Sequence, residues 1–167
     1  MAPTFHLICG PVGAGKTTYA MELADGLNAV RFSIDEWMVG LFGKDKPEPV
    51  QFDWVTERVE RCEHQIGRLA IQCAQAGVAP VLDLSFLRAR HRAAFADLAA
   101  ESGFSAVLHF LDVPAGERWR RVAVRNDAQG KTFALSVSRW MFDFVEKIWE
   151  PPTPAEMQAY RGKHIRS

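Results

Sequence analysis

Gly10-Pro11-Val12-Gly13-Ala14-Gly15-Lys16-Thr17 is the stretch that decides how this chain reads. It has the form G-x-x-x-x-G-K-[ST]. It sits between a compact apolar run, Phe5 to Cys9, and a helical pattern from Lys16 to Leu27 with Tyr19 or Ala20, Leu23 and Leu27 at helical spacing. In that setting glycines let the backbone curl around an anion without Cβ clashes, so that successive N–H groups converge on one point. The start of the helix adds its positive end to the same place. Gly10, Val12, Gly13, Ala14, Gly15, Lys16, Thr17 and Thr18 are therefore the candidate nucleotide contacts. Lys16 would reach the β- and γ-phosphates of ATP, and the Thr17 hydroxyl would ligate Mg²⁺.

Working outward, short β-like runs alternate with longer helical ones, which predicts an α/β fold around a parallel sheet. Ala29 to Phe32 reads as a weaker strand and Asp35 to Leu41 as a short helix. Gly43 to Pro49 is a loop by composition. Asp53 is a plausible N-cap for a long helix ending near Gly77. Its Val55, Val59, Cys62, Ile66, Leu69 and Cys73 advance by fours and threes along one buried face. Val78 to Leu84 is the clearest buried strand. Helix Arg88 to Glu101, strand Ala106 to Leu111 and helix Ala115 to Arg125 follow. The polar run from Asn126 to Thr132 suits a lid spanning about 126–137. A last helix, Ser138 to Trp149, places Met141, Phe144, Val145 and Ile148 on one side. Pro151, Pro152 and Pro154 stop it. No fifth strand stands out, and the tail 153–167 reads as flexible.

A length of 167 residues suits one domain spanning 1–167. Twenty basic residues balance twenty acidic ones, which excludes attachment to nucleic acid or an anionic membrane by bulk charge alone. With 48% hydrophobic residues, disorder is excluded as the main state. Cys9, Cys62 and Cys73 show neither CxxC spacing nor an even count, so a disulfide framework or zinc site is not expected. No signal-peptide core and no apolar stretch of spanning length occurs. The expectation is a cytoplasmic protein.

Asp35, in Ser33-Ile34-Asp35, follows the second strand and so emerges at the same carboxyl edge of the sheet as the glycine-rich turn. It could take a proton from an acceptor hydroxyl, or cap the helix that begins there. Asp83 closes the most apolar strand and needs a partner. Mg²⁺ through its water shell, or Thr17, is one answer; a turn capped through Ser85 is another. Arg118, Arg121 and Arg125 share a helix face that is either a solvated stripe or a source of phosphate contacts, with Arg121 and Arg125 preferred as catalytic groups. Arg88 and Arg92 could hold an anionic part of the acceptor or cover the surface. Trp37 and Phe42 read as packing for the short helix rather than as a stacking platform. No guanine-reading N-K-x-D occurs, and Leu84 follows Asp83 where many motor ATPases place a water-polarising glutamate.

The order Gly-Pro-Val-Gly-Ala-Gly-Lys-Thr-Thr (10–18), Phe-Ser-Ile-Asp-Glu-Trp (32–37), Val-Leu-Asp-Leu-Ser-Phe-Leu-Arg (81–88) and Arg-Val-Ala-Val-Arg-Asn (121–126) resembles small P-loop kinases. These are the zeta-toxin, polynucleotide-kinase and chloramphenicol-phosphotransferase group, especially its bacterial single-domain "AAA-family ATPase" members. The ending Met-Phe-Asp-Phe-Val-Glu-Lys-Ile-Trp-Glu-Pro-Pro (141–152) resembles that last subgroup too. The likeness covers most of residues 5 to 152, and only the glycine-rich turn is specific by itself. It implies a P-loop three-layer sandwich with core strand order 2-3-1-4, and leaves open whether one more strand extends it. It makes Asp35 the base, Lys16 and Thr17 the phosphate and Mg²⁺ contacts, and Arg121 and Arg125 lid arginines. Met38 stands where polynucleotide kinases of the group resemble S-x-D-x-x-R, which counts against a nucleic-acid acceptor unless Arg88 or Arg92 replaces that charge.

These readings converge on transfer of the γ-phosphoryl group of ATP, with Mg²⁺, to a hydroxyl on a small molecule. The alternatives are a polynucleotide 5′-hydroxyl kinase and a nucleotide-dependent binding or switch protein with slow hydrolysis.

Overall fold

The computed structural model of the chain describes residues 2–128 and 136–166. Strand β1 (Thr4–Cys9) leads through the glycine-rich turn into α1 (Lys16–Leu27). There follow β2 (Val30–Ser33), α2 (Ile34–Phe42), α3 (Phe52–Gln75), β3 (Pro80–Asp83), α4 (Ala89–Glu101) and β4 (Ser105–Leu111). The chain closes with α5 (Ala115–Ala128), α6 (Arg139–Ile148), α7 (Pro154–Ala159) and β5 (Lys163–Ile165). The five strands form one parallel sheet in the order β2-β3-β1-β4-β5.

Alternation along β1 sorts the layers, because successive side chains point to opposite faces. Phe5, Leu7 and Cys9 join the core built with Cys62, Ile66 and Ala70 of α3 and Phe95, Ala96 and Ala99 of α4. Ile8 points the other way, with Val81, to Ala20 and Ala24 of α1. Leu7 and Ile8 are fully buried, and each such side chain contributes roughly 2 kcal/mol on leaving water. The result is the expected three-layer sandwich. Among the described residues no helix is long and apolar enough to cross a membrane.

The fifth strand corrects the reading of the tail. Three residues with an exposed-exposed-intermediate pattern carry no periodic signal of their own; β5 forms because β4 leaves an open edge. It pairs His109 with Lys163, Phe110 with His164 and Leu111 with Ile165, and Asp112 N donates to Ile165 O at 3.0 Å. The His164 ring stacks on Phe110, 5.1 Å away and 10° from parallel. Pro154 starts α7 instead of ending structure. It occupies the first turn, where its missing N–H costs nothing, behind a Thr153–Glu156 capping box.

Two local expectations also change. Gln51, not Asp53, is the N-cap residue of α3, and Asp53 lies in the first turn where its charge suits the helix dipole. On α6 the buried residue is Phe142, packed with Val122 and Val137, while Phe144 is 38% exposed and stacks on Trp140. The expected face is therefore rotated toward Phe142. Of the expected lid, residues 129–135 lie outside the described residues.

Within the sheet, His109 is fully buried and takes part in a polar chain: Tyr19 Oη to His109 Nδ1 at 2.7 Å, and His109 Nε2 to His6 Nδ1 at 3.0 Å. Burial first, and then the Lys163 charge, hold the His6 imidazole below the ordinary histidine range. His109 is lowered by burial and then by His6 and Lys163. Folded-state values depressed in this way mean stability is fully present above the unfolded value near 6.5 and is lost as pH falls below it. Denaturant midpoints should therefore drop between pH 7 and pH 5. The buried His109 alone accounts for about 1.4 kcal/mol per pH unit below about 6.5. A midpoint constant across that window would show imidazoles titrating as they do in water.

Candidate active site

The turn after β1 is shaped by two glycines in the left-handed region, Gly13 at φ 79° and Gly15 at φ 89°. Gly13 is doubly constrained. A Cβ there would lie 2.6 Å from the Arg118 carbonyl oxygen and 3.0 Å from Val122 Cγ2, so α5 is seated directly on the turn. Gly15 is the N-cap residue of α1 and is exposed, as is Thr18. Gly10 and Ala14 are buried beneath; Val12, Gly13 and Thr17 are intermediate. The amides of the turn's outer half and the N-terminus of α1 thus open on the carboxyl edge of the sheet.

Lys16 Nζ donates to Pro11 O at 3.0 Å, folding the ammonium back over the turn. Burial pulls its pKa below the ordinary lysine range. The charges of Asp83, Asp35 and Cys9 oppose that, and Arg125 adds to it. Lys16 therefore shares one electrostatic neighbourhood with both carboxylates and Arg125.

Asp83 ends β3 at 5% exposure. Burial raises its pKa; Lys16 opposes this, Asp35 reinforces it, and Arg31 and a hydrogen bond from Thr17 oppose it. The Thr17 link is the partner expected for this carboxylate. Arg31, on β2, is a partner the sequence reading missed: its Nη1 lies 3.2 Å from Asp83 Oδ2, and its Nη2 pairs with Glu36. The available signal was a lone arginine between Val30 and Phe32 in a short strand beside one that ends in aspartate.

Asp35 is exposed in the first turn of α2, and the capping role falls to Ser33, whose Oγ accepts from Glu36 N at 3.4 Å. The Asp35 carboxylate is thus not the helix cap. It stands at the edge within electrostatic range of Lys16 and Asp83. Trp37 and Phe42 pack against the main core, as expected.

The three arginines of α5 separate. Arg118 is 4% exposed and structural: Nε donates to Val113 O at 2.8 Å, Nη1 to Val12 O at 3.1 Å, and the two Nη groups bind the Glu146 carboxylate at 2.7 Å each. It ties the outer side of the turn to α6. Arg121 Nη1 comes within 4.0 Å of the Cβ position of Gly15, while its Nε donates to Glu117 at 3.0 Å. Arg125 Nε is buried without a hydrogen-bond partner among the described residues. Arg121 thus reaches the turn at Gly15 and Arg125 acts on the charge of Lys16, whereas the Arg118 guanidinium is engaged by Val12 O, Val113 O and Glu146.

Arg92 departs from its expected place at the acceptor. It is fully buried. Its Nε and Nη2 grip Glu156 at 2.8 and 3.1 Å, and its Nη1 donates to Phe86 O at 3.0 Å and Glu150 O at 2.9 Å. A guanidinium enclosed in this way is not accessible to an acceptor; it pins the turn after β3, where Ser85 and Phe86 both have positive φ, to the C-terminal segment. Arg88 is 42% exposed with a loose 3.5 Å contact to Glu150, so it remains at the surface near that turn.

Residues 5–143 match the family model AAA_33, an AAA domain. The fold is similar to that of a candidate kinase from Chloroflexus aurantiacus J-10-fl, with TM-score 0.77 and 17% identity, covering 99% of this chain and 89% of that one. It is also similar to a sugar kinase from Janibacter sp. HTCC2649, with TM-score 0.65 and 18% identity over 98% of this chain and 85% of that one. A third is the Mycobacterium tuberculosis APS kinase CysC in complex with AMPPNP and APS, with TM-score 0.64 and 18% identity over 99% and 88%. Among curated proteins, none matches the sequence.

Two glycine substitutions should move stability in opposite directions. Gly13→Ala places a methyl against the Arg118 carbonyl at positive φ and should cost roughly 2 kcal/mol or more. Gly26→Ala, in α1 with nothing within 4 Å of its Cβ position, should be neutral or stabilise by up to about 1 kcal/mol. Denaturant unfolding reads both. Equal midpoints for the two variants would mean that α5 is not seated on the turn.

Proposed function

The chain belongs to the AAA_33 family of AAA domains, and from that premise we propose that it is an ATP- and Mg²⁺-dependent phosphotransferase moving a γ-phosphoryl group to a hydroxyl on a small molecule. The observation that carries this reading is the position of Asp35. It is a carboxylate not used as the helix cap, at the same sheet edge as Lys16 and Asp83, where an acceptor hydroxyl would meet the end of a bound triphosphate. The fold relatives named as kinases support phosphotransfer in general.

In this reading the main-chain amides of residues 13–18 and the positive end of α1 receive the β-phosphate. Lys16 exchanges its bond to Pro11 O for the β- and γ-phosphate oxygens. The donors for a hard cation are oxygens, the Thr17 hydroxyl and the Asp83 carboxylate behind it, and this suits Mg²⁺ held mainly by phosphate and water. When bound, the ion supplies positive charge to the bridging and equatorial oxygens. Asp35 orients the acceptor hydroxyl and takes its proton as the new O–P bond forms and the bond from the γ-phosphorus to the β,γ-bridging oxygen breaks, leaving ADP. Arg121 and Arg125 neutralise the equatorial oxygens.

A polynucleotide acceptor loses support with Arg92 enclosed, because only Arg88 remains to replace the charge that Met38 lacks. Three free cysteines support a reducing, cytoplasmic setting.

With γ-labelled ATP and a cell metabolite extract, the wild-type protein should label one class of hydroxyl compound. Asp35→Asn should lower that turnover by about 100-fold or more with little change in AMPPNP affinity. Lys16→Ala should abolish both binding and turnover. Transfer by Asp35→Asn at the wild-type rate would remove the base from the account.

A further inference from the structure

The carboxyl edge of the sheet gathers Asp83, at the end of β3, with Asp35 and Glu36 in the first turn of α2. A reaction that uses Asp35 as its base needs the other two held off the acceptor and the turn of α2 kept in fixed relation to β3. Arg31 is placed to do both.

Arg31 and Ser33 lie two residues apart on β2 and so project from one face, in register with Val81 and Asp83 of β3. Val81 packs on the α1 side of the sheet, so Arg31 leaves its strand into that layer and runs toward the carboxyl edge. The step from Val81 to Asp83 is about 6.6 Å at 3.3 Å per residue, a span that the arginine side chain covers. There its fork divides. Nη1 lies 3.2 Å from Asp83 Oδ2, and Nη2 pairs with Glu36 Oε1. Glu36 is 59% exposed, and an ion pair at such a site is ordinarily loose. Here the cation is anchored from behind, because Arg31 is 14% exposed and its other partner, Asp83, only 5%. The main chain adds a second tie: Glu36 N donates to Ser33 Oγ at 3.4 Å. Asp83 in turn accepts from Thr17. Contacts therefore run unbroken from the glycine-rich turn through Asp83 and Arg31 to Glu36, the residue next to Asp35.

We propose that Arg31 is a positioning residue for phosphoryl transfer. One guanidinium sets the separation between the metal-side carboxylate and the turn that carries the base. It also occupies Glu36, which leaves the exposed Asp35 as the carboxylate open to an acceptor hydroxyl. A planar fork holds two carboxylates in one geometry, whereas lysine offers a single point charge. Misplacing a reacting group by about 1 Å is enough to cost on the order of 100-fold in rate. The assignment rests on the phosphotransferase reading of Asp35.

Turnover is read as label passing from γ-labelled ATP to a cell metabolite extract, and nucleotide binding by calorimetry with AMPPNP and Mg²⁺. Glu36→Gln keeps the Arg31–Asp83 pair and cuts the tie to α2. It should melt like the wild type, bind AMPPNP within about twofold of it, and transfer label about tenfold more slowly or worse. Arg31→Lys, which cannot span both carboxylates, should show the same split between rate and binding. The double variant should be no slower than the slower single one, because each substitution cuts the same link. Should Arg31→Lys lose its cooperative melt, Glu36→Gln carries the comparison. A wild-type rate in either folded single variant, losses that multiply in the double variant, or an equal fall in AMPPNP affinity would each overturn the positioning role while leaving the phosphotransferase reading intact. No label transfer by the wild-type protein would overturn that reading and the role of Arg31 with it.

Discussion

An ammonium group withdrawn from water, with two carboxylates in its field, sets the terms for the whole carboxyl edge of this sheet. Lys16 is charged at a place where burial disfavours charge, and it is held there by Pro11 O and by the fields of Asp83 and Asp35. Asp83 is buried too and depends on Lys16, Arg31 and Thr17. Each charge is supported in part by the field of the other, because an isolated ion at such depth is costly. The turn between β1 and α1, the end of β3 and the start of α2 are therefore fixed with respect to one another. Arg118 and Glu146 extend the same logic outward by clamping Val12 O to the α5–α6 pair.

Much of the fold was legible because its signals are local and strong. The glycine-rich turn marks the β1–α1 junction, apolar runs mark β1 and β3, and the three-four spacing of α3 matches its buried Cys62 and Ile66, with Val59, Leu69 and Cys73 partly buried against the same core. What escaped has no local signal. The three residues of β5 are a strand only because β4 offers a free edge, and Pro154 reads as a stop unless the Thr153–Glu156 box is foreseen. The choice of Phe142 over Phe144 on α6 is made by Trp119 and Val122, distant in sequence.

The site was legible in the same uneven way. Residues 10–18, Asp35 and Asp83 converge because βα connections deliver their side chains to one edge. Arginine roles are harder to read, since one residue type serves burial, clamping and ligand contact alike. Arg118, Arg121 and Arg125 look equivalent as a stripe, yet Arg118 is spent on Glu146 and two carbonyls. Arg92 reads as an acceptor contact or a surface cover and is instead enclosed by Glu156, a residue of the tail that no local pattern brings near. Arg31 was missed because its partner, Asp83 on a neighbouring strand, is defined only by tertiary packing.

The most direct measurement of the central claim is a crystal structure grown with AMPPNP and Mg²⁺. The account predicts the β- and γ-phosphates against the amides of residues 13–18, with Lys16 Nζ released from Pro11 O onto phosphate oxygen and the Thr17 hydroxyl on the metal. A nucleotide bound elsewhere on the molecule, with Lys16 still bonded to Pro11 O, would contradict it.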